Sequence, residues 1–232
     1  MTIHGQGATF QVCYTVPMEK LTFRQCTLTL LDRQFGLRRA FVHPTLDQWL
    51  TTKITLDKQE IFAVERLQQL LLLNSDAWNE QELAMHFIGP ILSLVQFTEP
   101  YRFNLFAERK IQAIVPSIEG DVELSGEPDG IIATGYREPE IPMFAFSEYK
   151  RQLDPTGDPA GQALAAMLVG QTLNKNQFPV YGAYVVGTIW RFLLLDGKDY
   201  LISRDFSAVS TEVRDILRIL KALKEIIYKL TA

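Results

Sequence analysis

The sequence predicts an α/β protein: a mixed β-sheet flanked by helices, preceded by a mainly helical N-terminal extension. Three observations carry this. From about residue 75 onward, helix-period and strand-period segments follow in the order helix, three strands, helix, strand, the pattern of a sheet with helices packed on it. Before residue 75 the periodicity is mainly helical. At 232 residues, with 47% apolar and 22% charged side chains, the chain can bury one sizeable core, or one domain with an appended part. We divide it into an extension over 1–74 and a principal domain over 75–232.

Taken in order, residues 8–16 alternate Phe10, Val12 and Tyr14 and read as a short strand stopped by Pro17. Helices are expected over 21–35, from Pro44 through Leu50, and over 56–73. Segment 79–95 opens with Asn79-x-x-Glu82, a pattern in which each residue can satisfy the other's free backbone N–H, and is interrupted at Gly89-Pro90. Counting from Glu80, the residues Leu83, Ala84, Phe87, Ile88 and Ile91 share its face, so Glu80 lies on the core-facing stripe. Glu82 shares its face with Met85, His86, Gly89 and Pro90. Strands over 103–115, 122–133 and 143–150, separated by Gly120-Asp121 and a turn-rich 135–142, suggest an antiparallel meander. Pro155, Gly157 and Pro159 break the chain before an Ala-rich helix over 160–173. A strand over 180–186, a hairpin over 190–202 turning at Asp196-Gly197, and an amphipathic helix over 211–230 complete the pattern. No internal repeat or low-complexity tract stands out.

Composition narrows the function classes. No apolar run reaches the roughly 18 residues of a membrane span, and the first residues lack the basic-then-apolar order of a secretory leader, so a soluble, cytoplasmic protein without a membrane partner is expected. Cys13 and Cys26 are too few for a disulfide framework or a zinc site and read as reduced, structural thiols. A net charge of −4 argues against an indiscriminate nucleic-acid binder. It leaves room for an acidic catalytic site with a local basic rim, and Arg109, Lys110, Arg137, Lys150, Arg151 and Lys175 lie near the motifs below. There is no Gly-x-x-x-x-Gly-Lys phosphate loop, so this chain does not encode an ATP-driven motor.

Two segments carry chemistry: Gly126-Glu127-Pro128-Asp129-Gly130 and Phe146-Ser147-Glu148-Tyr149-Lys150. Strand period puts Glu148 and Lys150 on one face, continuing that of Phe144 and Phe146, where further apolar residues belong. Charges placed against a core need partners, and a second carboxylate such as Asp129 makes sense if a cation sits between them. Mg²⁺ takes hard oxygen ligands, often one or two carboxylates, and suits phosphodiester hydrolysis, with Lys150 positioning the attacking water or stabilising developing charge. The plainer alternative is a salt bridge from Glu148 to Lys150 or Arg109, with Pro128-Asp129-Gly130 an ordinary turn. Arg109, Lys110 and Arg151 are candidates for phosphate contacts, or belong to solvated strand faces. His4, His43 and His86 are isolated and read as surface or packing residues, and Trp78 and Trp190 as core.

Pro128-Asp129, eighteen intervening residues and Glu148-Tyr149-Lys150 resemble the PD-(D/E)XK nuclease signature. Their surroundings resemble the nuclease-like domain at the N-terminus of type I restriction motor subunits and in related small bacterial proteins, over roughly 79–195, about half the chain. The resemblance implies a restriction-endonuclease-like fold with Glu80 as the helix acid, Asp129 and Glu148 as the strand acids, Lys150 as the lysine and Gln162 as the glutamine of the following helix. Gln162 lies on an apolar stripe with Ala165, Ala166, Val169 and Leu173; many relatives carry a tyrosine where Ala166 stands. The implied function is a nuclease that uses Mg²⁺ or Mn²⁺, held by Glu80, Asp129 and Glu148, to cut DNA in restriction or defence, as a homodimer or within a larger complex. Two alternatives stay open: a catalytically silent nuclease-like fold serving as a nucleic-acid-binding or scaffold module, and RNA in place of DNA.

Overall fold

A computed structural model describes residues 18–153 and 156–231. The strand expected over 8–16, Cys13, His4 and Pro155 lie outside these residues. Eleven strands and seven α-helices follow in the order β1 (Glu19–Thr22), α1 (Leu28–Phe35), β2 (Arg38–Arg39), α2 (Pro44–Thr51), α3 (Lys58–Asn74), α4 (Glu80–Leu83), α5 (Gly89–Val95), β3 (Asn104–Phe106), β4 (Ile111–Ser117), β5 (Gly120–Gly126), β6 (Gly130–Thr134), β7 (Glu140–Lys150), α6 (Pro159–Leu173), β8 (Val180–Val186), β9 (Ile189–Asp196), β10 (Asp199–Ile202), β11 (Phe206–Ser207) and α7 (Val213–Leu230). The architecture is mixed α/β, with a large mixed sheet flanked by helices, as the segment order predicts.

The large sheet runs β2-β10-β9-β8-β7-β6-β3, with β11 paired to β9. Neighbouring β7 and β8 are parallel and are joined through α6, whereas β6-β7, β8-β9, β9-β10 and β3-β6 are antiparallel. A parallel pair cannot be closed by a tight turn, and α6 is its crossover. The hairpin β9-β10 turns at Gly197, whose φ of 60° requires a residue without a Cβ penalty. A second sheet, β1-β5-β4, stands apart from the first.

Three expectations are corrected here. Residues 21–35 are not one helix: 19–22 form β1, which pairs in parallel with β5, and 23–25 make a 3₁₀ turn before α1. Leu21 and Phe23 are buried two apart, a strand period that the following helix obscured. The meander is divided between two sheets. Residues 103–115 split into β3 and β4 at Glu108, which adopts φ 50°, and 122–133 split into β5 and β6 at Glu127-Pro128, where proline cannot donate to a ladder. The third concerns β7: Ile132 faces Ala145 but Ala133 faces Met143, so one extra residue, Phe144, bulges out. Phe146 shares the face of Glu148 and Lys150, and Phe144 lies on the opposite one.

Two cores sandwich the large sheet. On one face α2, α3, α5 and α7 enclose a core containing Trp49, Phe87, Phe144, Trp190, Phe192 and Ile216. On the other, α1, α6 and the small sheet enclose Leu31, Phe35, Leu124, Phe146, Met167 and Leu193. Helix α7 lays Val213, Ile216, Leu217, Leu220, Leu223 and Ile227 on the first core, each fully buried large side chain contributing about 1.5–3 kcal/mol. Helix α6 is buried on every side from Ala160 to Gln171, which its Ala- and Gly-rich sequence permits by letting neighbours approach closely. Residues 18–74 hold three helices and also supply β1 to the small sheet and β2 to the large one.

Candidate active site

Asp129, Glu148, Lys150, Glu80 and Gln162 line one open cleft together with Thr22, Arg24, Lys110, Ser125 and Glu127. The first five come from four separate parts of the chain. Gly130 pairs with Ser147, so Asp129, immediately before β6, arrives beside Glu148 on β7. Glu148 and Lys150 follow Phe146 by strand period on the α6 side of the sheet. Gln162 comes from the first turn of α6, whose N-terminus is capped by Asp158 through the Gly161 N–H at 3.0 Å.

Glu80 opens α4. Asn79 caps this helix and exchanges bonds with Glu82: Glu82 N–H donates to Asn79 Oδ1 at 2.9 Å and Asn79 N–H to Glu82 Oε2 at 2.8 Å. Glu82 is therefore occupied with the cap, while Glu80 reaches Lys150, as the face count predicts. The interruption expected at Gly89-Pro90 takes the form of a π turn over 84–88, closed by Gly89 N–H to Ala84 O. Pro90 has no N–H to give, and the wider turn accommodates its ring.

Lys150 bridges two acids, with Nζ 2.7 Å from Glu148 Oε1 and 3.5 Å from Glu80 Oε1. Glu148 and Lys150 are 6% and 7% exposed, whereas the Glu80 side chain is 45% exposed and free to reorient. The Asp129 Oδ2 accepts the Tyr149 N–H at 2.5 Å, which ties the loop before β6 to the catalytic-looking strand. Pro128-Asp129-Gly130 is thus more than a turn. The Glu148–Lys150 ion pair of the plainer alternative is present, but Arg109 instead stands 4.0 Å from Glu138 and does not line the cleft.

Burial and crowding perturb Asp129, Glu148 and Lys150. Burial, then the neighbouring Glu148 charge, pushes the Asp129 carboxyl from its ordinary 3.8 up to about 7, against the lowering effects of the Tyr149 N–H and Lys150. Burial also raises Glu148, although Lys150 opposes it. Burial alone would lower Lys150; its hydrogen bond to Glu148 and the three surrounding carboxylates hold it above its ordinary value. Two adjacent carboxylates that resist ionising mark a place where a cation would be stabilised.

Among the described residues no three acids, histidines or cysteines are already gathered as a metal cage. Asp129 and Glu148 nevertheless fit Mg²⁺ or Mn²⁺, which one or two carboxylate ligands commonly hold while other positions are left to water and phosphate. Of the cations expected near the motifs, Lys110 and Lys150 line the cleft; Arg109 does not. Arg151 is exposed and already engaged with a neighbour. Arg24, Thr22 and Ser125 are additions that sequence reading missed, since their place depends on β1 pairing with β5, Thr22 opposite Ser125. The remaining candidates are structural. His43 caps α2, His86 packs on Trp78, Trp190 is core, and the buried Cys26 thiol is pushed up to about 12.

Compared with known proteins, the sequence matches no described family and no curated protein. Among the described residues no helix is long and apolar enough to cross a membrane.

Proposed function

We propose that the protein is a metal-dependent nuclease of the PD-(D/E)XK type that hydrolyses phosphodiester bonds in DNA. The observation that carries this is the convergence of Asp129, Glu148, Lys150, Glu80 and Gln162, drawn from separate elements, on one open cleft. Asp129 and Glu148 would hold Mg²⁺ or Mn²⁺, which when bound neutralises charge on the phosphate and eases deprotonation of the attacking water. Lys150 donates from a buried position, so its hydrogen bonds can hold that water or meet charge developing on the phosphate. Glu80, 3.5 Å from the ammonium, keeps Lys150 charged and oriented and, being half-exposed, can swing toward the acids. Gln162, buried at the cleft wall, offers an amide to a phosphate oxygen or to the water. Restriction or defence is the setting that the sequence resemblance suggests.

A second reading is favoured by one observation, the Lys150 ammonium lying between Glu148 and Glu80: a silent fold in which these charges form an ion-pair network and the cleft serves only for binding. Purified protein incubated with supercoiled plasmid, linear duplex, single-stranded DNA and RNA, in Mg²⁺, Mn²⁺ or EDTA, separates the two. Metal-dependent cutting of DNA that disappears in Lys150→Ala supports the nuclease. Cutting of RNA alone transfers the reading to a ribonuclease, and no cutting with any metal supports the silent fold.

A further inference from the structure

We propose that Arg24, assisted by Lys110, forms a phosphate-binding wall that grips the nucleic-acid backbone beside the bond to be cut. This rests on the nuclease reading and extends it to a part of the chain that the sequence motifs do not touch. Arg24 and Lys110 both line the cleft. Among the described residues neither forms a hydrogen bond or an ion pair. Arg38, Arg191, Arg204, Arg214 and Arg218 each face a carboxylate, and Arg33, which like Arg24 faces none, lies outside the cleft. Arg24 is exposed and near enough for Glu148 to feel its charge, yet it makes no hydrogen bond to that acid, whose carboxylate is taken by Lys150 at 2.7 Å. Its donors are therefore left for an anion that arrives from outside.

The turn that carries Arg24 is held on both sides. A Cβ at Gly126 of β5 would overlap the Phe23 ring, and a Cβ at Gly161 of α6 would sit 2.5 Å from the Cys26 carbonyl oxygen. Thr22 and Gln25 close a capping box around the turn, with the Thr22 N–H donating to Gln25 Oε1 at 2.8 Å. Asp158, besides capping α6, accepts the Leu28 N–H at 2.9 Å. The guanidinium stem therefore stands on a backbone held between β5 and α6. A fixed guanidinium presents a fork of donors matched to two phosphate oxygens. Among the described residues the one aromatic side chain of the cleft lining, Phe23, is buried and offers no platform for stacking bases, so this wall would read the backbone without regard to sequence.

The test uses the full chain, labelled duplex and single-stranded oligonucleotides, and a series of salt concentrations, with steady-state cleavage in Mg²⁺ alongside binding in EDTA. Arg24→Ala is expected to raise KM and Kd about tenfold while leaving kcat within about twofold, and to make the dependence of log affinity on log salt shallower by about 0.7–0.9. Lys110→Ala shifts both in the same direction. Arg24→Lys restores the salt slope and only part of the affinity, because a point charge replaces the fork. Arg33→Ala, an equal charge change on an exposed residue of α1 that lines a different groove, is the control and stays near the parent. If the parent cuts nucleic acid while Arg24→Ala behaves as Arg33→Ala does, the wall is refuted and the nuclease reading survives. If Arg24→Ala lowers kcat with KM and salt slope unchanged, the binding role is likewise refuted. A parent that neither binds nor cuts any of the nucleic acids refutes both.

Discussion

On the helical face of the large sheet, Tyr149 is buried with its hydroxyl 2.8 Å from Ser147 Oγ, and Trp49 donates its indole N–H to the Ile219 carbonyl at 2.9 Å while meeting Tyr181 and Phe192 edge-on. On the opposite face the residues on either side of Tyr149, Glu148 and Lys150, crowd with Asp129 and Glu80 in a cleft open to solvent. One short stretch of β7 thus alternates between polar groups that have found fixed partners and a charged pair whose acid is repelled by neighbouring carboxylates. Both faces carry a core, but the cleft beside the second tolerates an excess of carboxylates that Lys150 offsets only in part and a further cation would relieve.

The largest expected effect tests the stabilising face. Trp49→Ala should cost about 3–5 kcal/mol in denaturant unfolding, because it empties an enclosed aromatic site and leaves the Ile219 carbonyl without its donor. A cost under 1 kcal/mol would mean that the two faces do not differ as described.

On the cleft face, Lys150→Ala should reduce cleavage by about 10²–10³-fold, the usual loss when a positioned donor is removed. Lysine is no ligand, so this variant should keep the rise in melting temperature that Mg²⁺ or Mn²⁺ gives the parent by binding the folded state. Loss of that rise in a folded Lys150→Ala protein would contradict the division of roles.

Asp129→Asn sharpens the contrast further, because removing a charge should not weaken a site in which charges repel. In EDTA its melting temperature should equal or exceed that of the parent, and the response to metal should vanish. The sign follows from the raised carboxyl: between about 3.8 and about 7 the folded protein binds more protons at Asp129 than the unfolded chain does, so this group lowers stability as pH rises through that window. Melting of the metal-free parent should fall across it more steeply than melting of Asp129→Asn. A clear loss of stability in Asp129→Asn, with no metal effect in either protein, would instead favour the ion-pair network.

The smallest effect separates two neighbours on α4. Glu80→Gln should lower activity with little change in stability, whereas Glu82→Gln should spare activity and cost about 0.5–1 kcal/mol through the cap. Equal losses of activity would overturn the assignment of faces.

The sequence revealed what local pattern can encode. Strand β8 begins and ends where predicted, the Asn79–Glu82 box closes as written, and Glu148 and Lys150 stood out because they replaced apolar residues on a strand face. Features set by distant pairing were not legible. β1 finds its partner in β5, about a hundred residues later, and its four residues are too short to show a period before α1 begins. The bulge at Phe144 is a matter of register between two strands, and no single-strand pattern contains it. Arg24 was missed for the same reason, being brought to the cleft by β1 and by the close approach of Gly161. Gly126, Pro128 and Gly130, inside the strand expected over 122–133, were the local signals against an unbroken strand.

Asp158 joins the start of α1 to the start of α6 across 130 residues, which bears on how the protein is made. A nascent chain carries Arg24 long before Lys150, but the cap that fixes the Arg24 turn appears only with Asp158, and β8, the parallel neighbour of β7, appears later still. Until those segments emerge, the acids, the lysine and the arginine wall are present as residues without a shared geometry. Competence of the cleft is therefore coupled to the synthesis of Asp158 and β8, so a product truncated before them would carry every acid of the site and still lack an organised one.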